Sequence, residues 1–177
     1  MQLLNTTAQL LQIRKQLGNK KVAFVPTMGN LHPGHTTLFD LAKQHSDIVI
    51  SSIFVNPKQF GAGEDFASYP RTLEQDLAIL KKHEVDYLFA PASNEIYPDN
   101  DTTTINIDIP SLTSLWCGQS RPGYFQGILT IVNMLFNLVR PDIGVFGNKD
   151  FQQALLIKRM VADLHMPMRI LTAATAR

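Results

Sequence analysis

The segment VAFVPTMGNLHPGHTTLFDL, residues 22–41, decides how this chain of 177 residues folds. Its first four residues form an apolar run of the length of a buried strand. Pro26 is expected to end that strand, because proline cannot donate to a central ladder. Gly29 permits a tight turn, and Pro33 suits the first turn of a helix, where a missing N–H costs nothing. The segment therefore predicts a strand, a turn with histidines, and a helix that extends to about His45.

His32 and His35 lie where this strand leads into the helix. A helix N-terminus presents unpaired backbone N–H groups and the positive end of the helix dipole, and both favour a bound phosphate. With Gly34 between them, two imidazoles can approach one anion and stabilise charge that develops on phosphorus during nucleotidyl transfer. Histidines that only cap the helix are the alternative. A zinc site is disfavoured, because no cysteine or carboxylate cluster completes a ligand set.

Composition narrows the classes of function. The chain has 16 basic and 15 acidic residues, so it has no general basic surface and binding to nucleic acid is not indicated. Its single cysteine, Cys117, excludes an intramolecular disulfide framework and fits a reducing compartment. We find no leader and no apolar run long enough to span a bilayer, so we expect a cytoplasmic protein. Residues 1–177 are expected to form a single nucleotide-binding domain.

The rest of the chain alternates strand and helix patterns. Apolar or alternating runs predict strands over 47–55, 85–90, 102–109, 142–146 and 168–172. Helices are expected between them, with a cap at Asn5 or Thr6, a stop at Gly18, a capping box at Thr72 and Gln75, and a long apolar helix over 122–139. Four polar residues share one face of that long helix, interpreted as meeting water or a neighbouring subunit: Gln126, Thr130, Asn133 and Asn137. The alternation indicates an α/β fold with a doubly wound parallel sheet.

Polar residues follow two of these strands at their carboxyl ends, where ligands bind in such folds. Gln59 offers an amide donor and acceptor that suit a substrate with hydroxyl and carboxylate groups, or that satisfy loop backbone instead. Lys149 is a compact cation able to meet phosphate oxygens. Asp150 can cap a helix or accept hydrogen bonds from ribose hydroxyls. Arg121 can bind either an anion or a carboxylate side chain of the chain itself.

Four stretches of the chain resemble pantothenate synthetases, the pantoate–β-alanine ligases. They are PTMGNLHPGH over 26–35, FVNPKQFGAGEDFASYPR over 54–71, RPGYFQG over 121–127 and GNKDFQQ over 147–153. The H-x-G-H pattern alone would indicate only the wider nucleotidylyltransferase superfamily. The resemblance implies the Rossmann-like N-terminal domain of that family. Asn148, Ala174 and Ala176 depart from the family pattern, and the smaller C-terminal lobe with its S-S-R-N element is absent from this sequence.

The resemblance also implies a role for individual residues. His35, His32 and Lys149 are expected to be catalytic, with His35 as the proton donor. Gln59 and Gln153 are expected to bind pantoate, and Gln59 also to lie at β-alanine. No metal site made by the protein alone is expected. The residues expected to contact ATP are Met28, Gly29, Asn30, Leu31, His32, Pro33, Gly34, His35, Gly147, Asn148, Lys149, Asp150 and Ala176.

The implied activity is the ATP-dependent condensation of (R)-pantoate with β-alanine to pantothenate. It proceeds through pantoyl adenylate, releases AMP and pyrophosphate, and uses Mg²⁺ to neutralise the polyphosphate. The family is usually dimeric, so a homodimer is expected. Two alternatives stay open. The chain could be another H-x-G-H nucleotidylyltransferase that makes a dinucleotide, or a nucleotide-binding domain with little turnover because the C-terminal lobe is missing.

Overall fold

The strands of the chain form one fully parallel sheet of six strands in a computed structural model that describes residues 1–61, 64, 66–98 and 104–174. The strands are β1 Gln2–Leu4, β2 Val22–Thr27, β3 Ile48–Ile53, β4 Tyr87–Phe89, β5 Ile143–Gly147 and β6 Arg169–Ala173. They lie in the order β1-β4-β3-β2-β5-β6. The chain therefore winds outward in one direction from β2 and in the other direction from β5. This confirms the expected doubly wound sheet and puts its switch point between β2 and β5.

Helices cover both faces of the sheet. They are α1 Thr7–Leu17, α2 Pro33–His45, α3 Leu73–Lys82, α4 Ser93–Ile96, α5 Pro110–Thr113, α6 Cys117–Ser120, α7 Tyr124–Val139 and α8 Phe151–Asp163, with 3₁₀ turns at Pro57–Gln59 and Asn148–Asp150. Helices α1, α7 and α8 pack in one apolar cluster with Phe24 of β2. Helices α2 and α3 pack in the other with Ala23 and Val25. None of the helices in the described ranges is long and apolar enough to cross a membrane.

The first helix begins and ends as its sequence predicts. The Thr6 hydroxyl accepts a hydrogen bond from the N–H of Gln9 at 3.2 Å, and the Gln9 side chain accepts from the N–H of Thr6 at 3.2 Å. Gly18 ends the helix with φ 54°, a value that favours glycine. These reciprocal hydrogen bonds satisfy N–H groups that a helix N-terminus otherwise leaves unpaired.

The prediction that Pro26 ends its strand is wrong. Strand β2 continues through Pro26 to Thr27, in register with β3. The carbonyl of Thr27 accepts a hydrogen bond from the N–H of Phe54, so Thr27 faces β3 and Pro26, by alternation, faces β5. Pairing between β2 and β5 has already ended at Phe24. The missing N–H of proline therefore falls where the ladder has no partner for it.

The predicted edge strand over 102–109 is also wrong in its described part, because residues 104–109 form no strand. They run along α7 instead and bind its polar side chains. The N–H of Ile107 donates to the hydroxyl of Thr130 at 3.0 Å, and the Gln126 amide donates to the carboxylate of Asp108 at 2.6 Å. The interpretation of this helix face as one that meets water or a subunit is therefore wrong for Thr130, which is buried, whereas Gln126 is exposed as expected. Residues 99–103 lie outside the described ranges.

The structure adds one strand to the predicted elements and corrects one predicted helix cap. Strand β1 is not predicted by the sequence, because its three residues are too few to show a periodic pattern, and it pairs only with β4. The capping box of Thr72 and Gln75 is absent, since the Thr72 hydroxyl donates to the carboxylate of Asp76 at 3.1 Å. In a capping box this hydroxyl would accept the N–H of Gln75, whereas here it donates to the carboxylate one residue further along the helix.

Three aspartates join neighbouring strands at the amino ends of the sheet. Each directly precedes a strand, and its carboxylate accepts the N–H of a residue in or just before the adjacent strand. The pairs are Asp47 with Lys21 at 2.8 Å, Asp86 with Val49 at 2.8 Å and Asp142 with Val22 at 2.7 Å. These bonds fix the starting positions of β2, β3, β4 and β5, and therefore also the positions at which those strands end.

Helix α7 approaches the Pro57–Gln59 turn so closely that only glycine fits at position 127. A Cβ atom there would collide with the carbonyl oxygen of Lys58. The carbonyl of Gly127 accepts a hydrogen bond from the Asn56 side chain at 3.1 Å, so the two backbones are also joined. Glycine at this position thus keeps the turn against the helix.

We expect Gly127→Ala to lower the free energy of unfolding by about 1–3 kcal/mol, because the backbone of the turn or the helix has to shift. This figure is the net loss, after subtraction of the ~1 kcal/mol that alanine gains over glycine inside a helix. Gly61→Ala is the matched control, since no described atom lies within 4 Å of a Cβ at that position. Urea denaturation of both variants checks the expectation, and equal midpoints would contradict it.

Candidate functional site

A cavity of about 700 Å³ lies at the switch point, outside the carboxyl ends of β2 and β5. The junction from β2 to α2 forms one wall, and the junction from β5 to α8 forms another. The expected site residues that line this cavity are Met28, Gly29, His32, Pro33, Gly34, His35, Gln59, Gly147, Asn148, Lys149, Asp150 and Gln153. The structure therefore brings together residues from three distant stretches of the sequence.

Two of the expected site residues that the structure describes, Asn30 and Leu31, do not line the cavity. Leu31 is buried and packs in the apolar cluster beneath α2. Asn30 is exposed on the turn and is not part of the cavity wall. Ala176 lies outside the described residues. The segment after β2 therefore faces the cavity with only some of its residues, since others anchor it to the core.

The two histidines hydrogen-bond to the start of their own helix. His32 is the N-cap residue of α2, and its Nδ1 accepts the N–H of Gly34 at 3.0 Å. The Nδ1 of His35 accepts the N–H of His32 at 3.4 Å, a longer and weaker bond. The ring centroids lie 4.2 Å apart. Because each Nδ1 accepts a hydrogen bond, these contacts assign the proton of each neutral ring to Nε2.

These bonds correct the expectation that the helix N-terminus offers unpaired N–H groups. The N–H groups of His32 and Gly34 go to the two imidazoles, and the N–H of His35 donates to the carbonyl of His32 at 2.8 Å. Pro33 has no N–H. The imidazoles thus stand between the helix and the cavity, and a hydrogen bond received at Nδ1 polarises each ring toward donation from Nε2. An anion in the cavity would meet Nε2–H groups rather than backbone.

His35 is half-buried, and its charge state reflects that position. Burial lowers the pKa of the His35 imidazole below its ordinary value, and the neighbouring His32 lowers it further. Asp76 and Asp150 oppose this shift, while Lys149 adds to it. The net lowering of the pKa favours the neutral form of the ring at neutral pH. In that form Nε2–H donates a hydrogen bond and the ring carries no positive charge.

Asp76 of α3 is a residue of this site that the sequence interpretation missed. It is 1% exposed, although it carries a carboxylate. Its Oδ1 accepts the N–H of Leu31 at 2.8 Å, and its Oδ2 accepts the N–H of Asn30 at 3.0 Å and the hydroxyl of Thr72 at 3.1 Å. Asp76 therefore holds the backbone of the turn directly before the histidines.

A signal for Asp76 was present in the sequence. The helix was expected to turn Leu73, Leu77 and Leu80 inward, and Asp76 shares their face at helical spacing. A carboxylate on the buried face of an amphipathic helix needs hydrogen-bond donors from elsewhere in the fold. Leu80 is fully buried as expected, whereas Leu73 is exposed.

Gln59 is oriented by a chain of buried side chains. The hydroxyl of Tyr97 donates to Oδ1 of Asn56 at 2.8 Å, and Nδ2 of Asn56 donates to Oε1 of Gln59 at 3.1 Å. Asn56 is completely buried. Because Oε1 of Gln59 is occupied in this way, its Nε2 donor is the group left for a ligand. Sequence reasoning missed Asn56 and Tyr97, since nothing in the sequence relates them to each other.

Arg121 binds a carboxylate of the chain itself. Its Nε and Nη2 donate to the two oxygens of Glu64, each at 2.7 Å, and its guanidinium lies 3.5 Å from the centroid of the Tyr124 ring. Nη2 also donates to the carbonyl of Gln59 at 3.3 Å. Of the two sequence-based alternatives, the structure therefore has the side-chain carboxylate. The hydrogen bond with Glu64 raises the pKa of Arg121 above its ordinary value.

The adjacent glutamines of α8 occupy different environments. Gln153 lines the cavity. Gln152 is buried, and its amide donates to the carbonyls of Leu112 and Leu115 at 3.1 and 2.7 Å while it accepts the N–H of Cys117 at 3.2 Å. Gln152 thus holds the segment before α7, and only Gln153 is available to a ligand.

Part of the cavity wall is apolar. Helix α7 contributes most of this wall, together with an aromatic ring that follows β3. The residues are Phe54, Ile128, Ile131, Val132 and Leu135. Sequence reasoning did not assign them to the site, although the apolar character of the whole helix indicated burial on most sides. The cavity wall therefore combines cationic and hydrogen-bonding groups with apolar side chains, an arrangement that suits a ligand of mixed character.

Comparisons with known proteins agree with this arrangement. The family model for Pantoate-beta-alanine ligase matches residues 2–177. Pantothenate synthetase of Chromohalobacter salexigens is 49% identical over 158 residues. The crystal structure of pantothenate synthetase from Thermus thermophilus aligns with a TM-score of 0.92 at 47% identity over 100% of this chain. Pantoate-beta-alanine ligase from Francisella tularensis, crystallised with beta-gamma ATP and beta-alanine, aligns with a TM-score of 0.95 at 41% identity, also over 100% of this chain.

The chain is shorter than these relatives. The alignment with the Chromohalobacter protein covers 89% of this chain and 56% of that protein, and the structural alignments cover 63% of the Thermus chain and 68% of the Francisella chain. Within that span the family model covers the sequence from its second residue onward. The parallel sheet and the cavity at its switch point lie in the shared region, and the chain belongs to the pantoate–β-alanine ligase family.

Proposed function

We propose that the chain condenses (R)-pantoate with β-alanine in an ATP-dependent reaction, through pantoyl adenylate, and releases pantothenate, AMP and pyrophosphate. Membership of the ligase family supports this activity. The observation that carries it is that His32, His35 and Lys149 line the same cavity as Gln59 and Gln153. Groups that can bind the phosphates of ATP and amides that can bind an organic acid are thus present in one cavity.

In the first step a pantoate carboxylate oxygen attacks the α-phosphorus of ATP. The new bond joins that oxygen to phosphorus, and the bond from the α-phosphorus to the bridging oxygen breaks, so that pyrophosphate leaves. Nε2–H of His32 and of His35 and the ammonium of Lys149 stabilise the charge on the phosphate oxygens. Of the residues implied to contact ATP, those that line the cavity keep that assignment in this proposal: Met28, Gly29, His32 to His35 and Gly147 to Asp150. Asn30 and Leu31 do not line it and are not proposed as ATP contacts. The protein contributes positioned donors and charge rather than covalent chemistry.

Pantoate matches the mixed character of the cavity. Its carboxylate and hydroxyl groups accept hydrogen bonds, which Gln153 and the free Nε2 donor of Gln59 supply. Its dimethyl carbon is apolar and fits the wall formed by Phe54 and the side chains of α7. This division orients the carboxylate toward the phosphate-binding end. The same amides argue against a second nucleotide as acceptor, and therefore against a dinucleotide product.

In the second step the amine nitrogen of β-alanine attacks the acyl carbon of pantoyl adenylate. A carbon–nitrogen bond forms, the bond from carbon to the AMP oxygen breaks, and the nitrogen loses its proton to solvent. Gln59, which lines the cavity and is proposed to bind pantoate, is proposed to contact β-alanine as well. The relative from Francisella tularensis was crystallised with beta-gamma ATP and beta-alanine, which supports ATP and β-alanine as ligands in this proposal.

Magnesium is proposed to enter as a partner of the triphosphate. Mg²⁺ is commonly bound by one or two carboxylates together with substrate phosphates. Across the described ranges, no group of three or more His, Cys, Asp or Glu residues is arranged to hold a metal. Asp150 supplies a carboxylate to the cavity wall and could serve as the single protein ligand of an Mg²⁺ ion that the phosphates also bind. When bound, the ion would neutralise charge on the polyphosphate.

We further propose a cytoplasmic location and a homodimer, as the family resemblance implies, with no nucleic-acid or membrane partner. The near balance of 16 basic and 15 acidic residues is consistent with small-molecule substrates. Residues 1–177 are proposed to act as a single nucleotide-binding catalytic domain. Sedimentation equilibrium of the purified chain tests the dimer, which would double the mass of 19.8 kDa.

The direct test of the activity is to incubate the chain with ATP, Mg²⁺, pantoate and β-alanine and to measure pantothenate, AMP and pyrophosphate. Equimolar formation of the three products supports the proposal. Because the chain spans 56% of its curated relative, calorimetry with ATP accompanies the assay. Nucleotide binding without pantothenate would favour the second candidate, a nucleotide-binding domain with little turnover. A product that depends on a second nucleotide instead of pantoate would overturn the ligase proposal.

We expect His35→Ala to reduce kcat for pantoate-dependent pyrophosphate exchange by about 10²–10³-fold, because one donor to developing charge is lost. The affinity for pantoate should change little, since the imidazole acts on phosphate. Exchange kinetics at varied pantoate concentration check both quantities. Equal exchange rates in the variant and the parent would contradict the role of His35.

Gln153→Ala should raise the KM for pantoate by about 10–100-fold, because a hydrogen bond to a charged group contributes about 1.5–3 kcal/mol. The KM for ATP should change much less. Gln152→Ala is the neighbouring control, and it should lower thermal stability because its hydrogen bonds hold Leu112, Leu115 and Cys117. A defect of Gln153→Ala confined to ATP would count against the pantoate assignment.

The pH dependence follows from the lowered pKa of His35. The neutral imidazole is the active donor, so adenylate formation should persist below pH 6.5 and fall only when the pH passes the lowered pKa. The unfolded chain takes up this proton near the ordinary pKa of 6.5, so stability should decline as the pH falls below that value. NMR titration of His35, assigned with His35→Gln, measures the midpoint. A midpoint at or above 6.5 would refute the neutral donor.

A further inference from the structure

We propose that Asp76 is a positioning residue for the reaction, whose carboxylate holds the turn after β2 so that the histidine rings reach the nucleotide phosphates. This inference rests on the proposed function, because it assigns a task within the same site. Asp76 does not line the cavity and is not expected to touch a substrate. It acts through Asn30 and Leu31, the two residues that directly precede His32.

The hydrogen bonds of Asp76 require a group that only accepts. Three donors converge on its two oxygens: the N–H groups of Asn30 and Leu31 and the hydroxyl of Thr72. A carboxylate can accept all three, whereas an amide would turn NH₂ toward at least one of them. Because Asp76 is 1% exposed, water cannot replace a bond that is lost. Exchange of this carboxylate for an amide must therefore move the turn.

The turn adopts a backbone that needs external support. Gly29 has φ 80° and Asn30 has φ 52°, so two successive residues lie in the left-handed region. Such a conformation persists where surrounding contacts hold it in place. A Cβ at position 29 would lie 3.0 Å from Oδ2 of Asp76, so glycine also allows the carboxylate to approach. Asp76 holds the turn on one side, and the buried side chain of Leu31 holds it on the other.

The position of the turn determines the position of both rings. Leu31 is followed directly by His32, whose backbone N–H bonds to His35 and whose ring bonds to Gly34. A displacement at Leu31 therefore moves the N-cap residue and both of its hydrogen bonds. Transition-state stabilisation is sensitive to such a shift, since donors need to lie within hydrogen-bond distance of the developing charge.

The charge of Asp76 also faces His35. His32 and Lys149 lower the pKa of His35, as burial does, while Asp76 and Asp150 raise it. Loss of the Asp76 charge should therefore lower the pKa of His35 further. This shift offers a readout that a purely structural loss of stability would not produce.

The chain provides a matched control for Asp76→Asn. Oδ1 of Asp40 in α2 lies 2.7 Å from Nδ1 of His83 at the end of α3. Asp40, like Asp76, therefore connects α3 with the segment that contains the histidines and α2. Asp40→Asn makes the same chemical change and weakens the contact with His83, but it leaves the hydrogen bonds of the turn at Asn30 and Leu31 intact. The two variants thus separate loss of packing between helices from loss of the turn.

The experiment compares the parent, Asp76→Asn and Asp40→Asn in pyrophosphate exchange with ATP and pantoate, in thermal melting and in NMR titration of His35. We expect Asp76→Asn to lower kcat about 10–100-fold with less than a threefold change in the KM for pantoate, and to lower the pKa of His35. Asp40→Asn should retain kcat and the His35 midpoint. A folded Asp76→Asn with the exchange rate and His35 midpoint of the parent would overturn the proposal, as would equal losses in both variants.

If Asp76→Asn does not fold, Thr72→Val decides the question. It removes one donor to Oδ2 and leaves the carboxylate, so exchange should fall severalfold at an unchanged KM for pantoate, and parental exchange would overturn the proposal. Failure of the proposed function can be told apart from failure of the role of Asp76. In that case the parent itself shows no pantoate-dependent exchange, whereas the lower pKa of His35 and weaker ATP binding in Asp76→Asn, measured by calorimetry, still test the role of Asp76.

Discussion

The site depends on the short pairing between β2 and β5. Ala23 pairs with Ile143 and Phe24 with Gly144, and the pairing does not extend further along β2. The direction of winding reverses across this pair, so the strand–helix junctions that follow the two strands flank one crevice. The histidines come from one junction and Lys149 from the other. No single segment of the chain could supply these groups, and their convergence is a consequence of strand order.

The hydrogen bonds around the histidines determine what this crevice can do. Each imidazole accepts a backbone N–H at Nδ1, which leaves Nε2–H as its donor, and burial lowers the pKa of His35, which favours its neutral form. Gln59 is likewise turned by Asn56 so that its amide donor is free. Hydrogen-bond donors and the Lys149 cation are therefore prominent among the polar groups of the cavity wall, which suits an anionic ligand. The apolar wall supplied by α7 suits the rest of an organic acid.

Much of this arrangement could be predicted from the sequence, because its signals are local. The strands carry apolar runs, and His32, His35 and Lys149 lie in short motifs at strand ends. Asp76 was missed, although it lies on the buried face of its helix, because the backbone N–H groups of Asn30 and Leu31 whose hydrogen bonds it accepts are distant in the sequence. Pro26 was misjudged, since the side of the strand that needs an N–H depends on which neighbour is paired there. The tautomers of the histidines required atomic distances.

The most direct measurement is a crystal structure of the chain with a non-hydrolysable ATP analogue and pantoate. We expect Nε2 of His32, Nε2 of His35 and Nζ of Lys149 within hydrogen-bond distance of phosphate oxygens of one nucleotide, with the pantoate carboxylate facing its α-phosphorus. A nucleotide bound outside this cavity, or bound there with the two imidazoles directed away from the phosphates, would contradict the assignment of these three side chains.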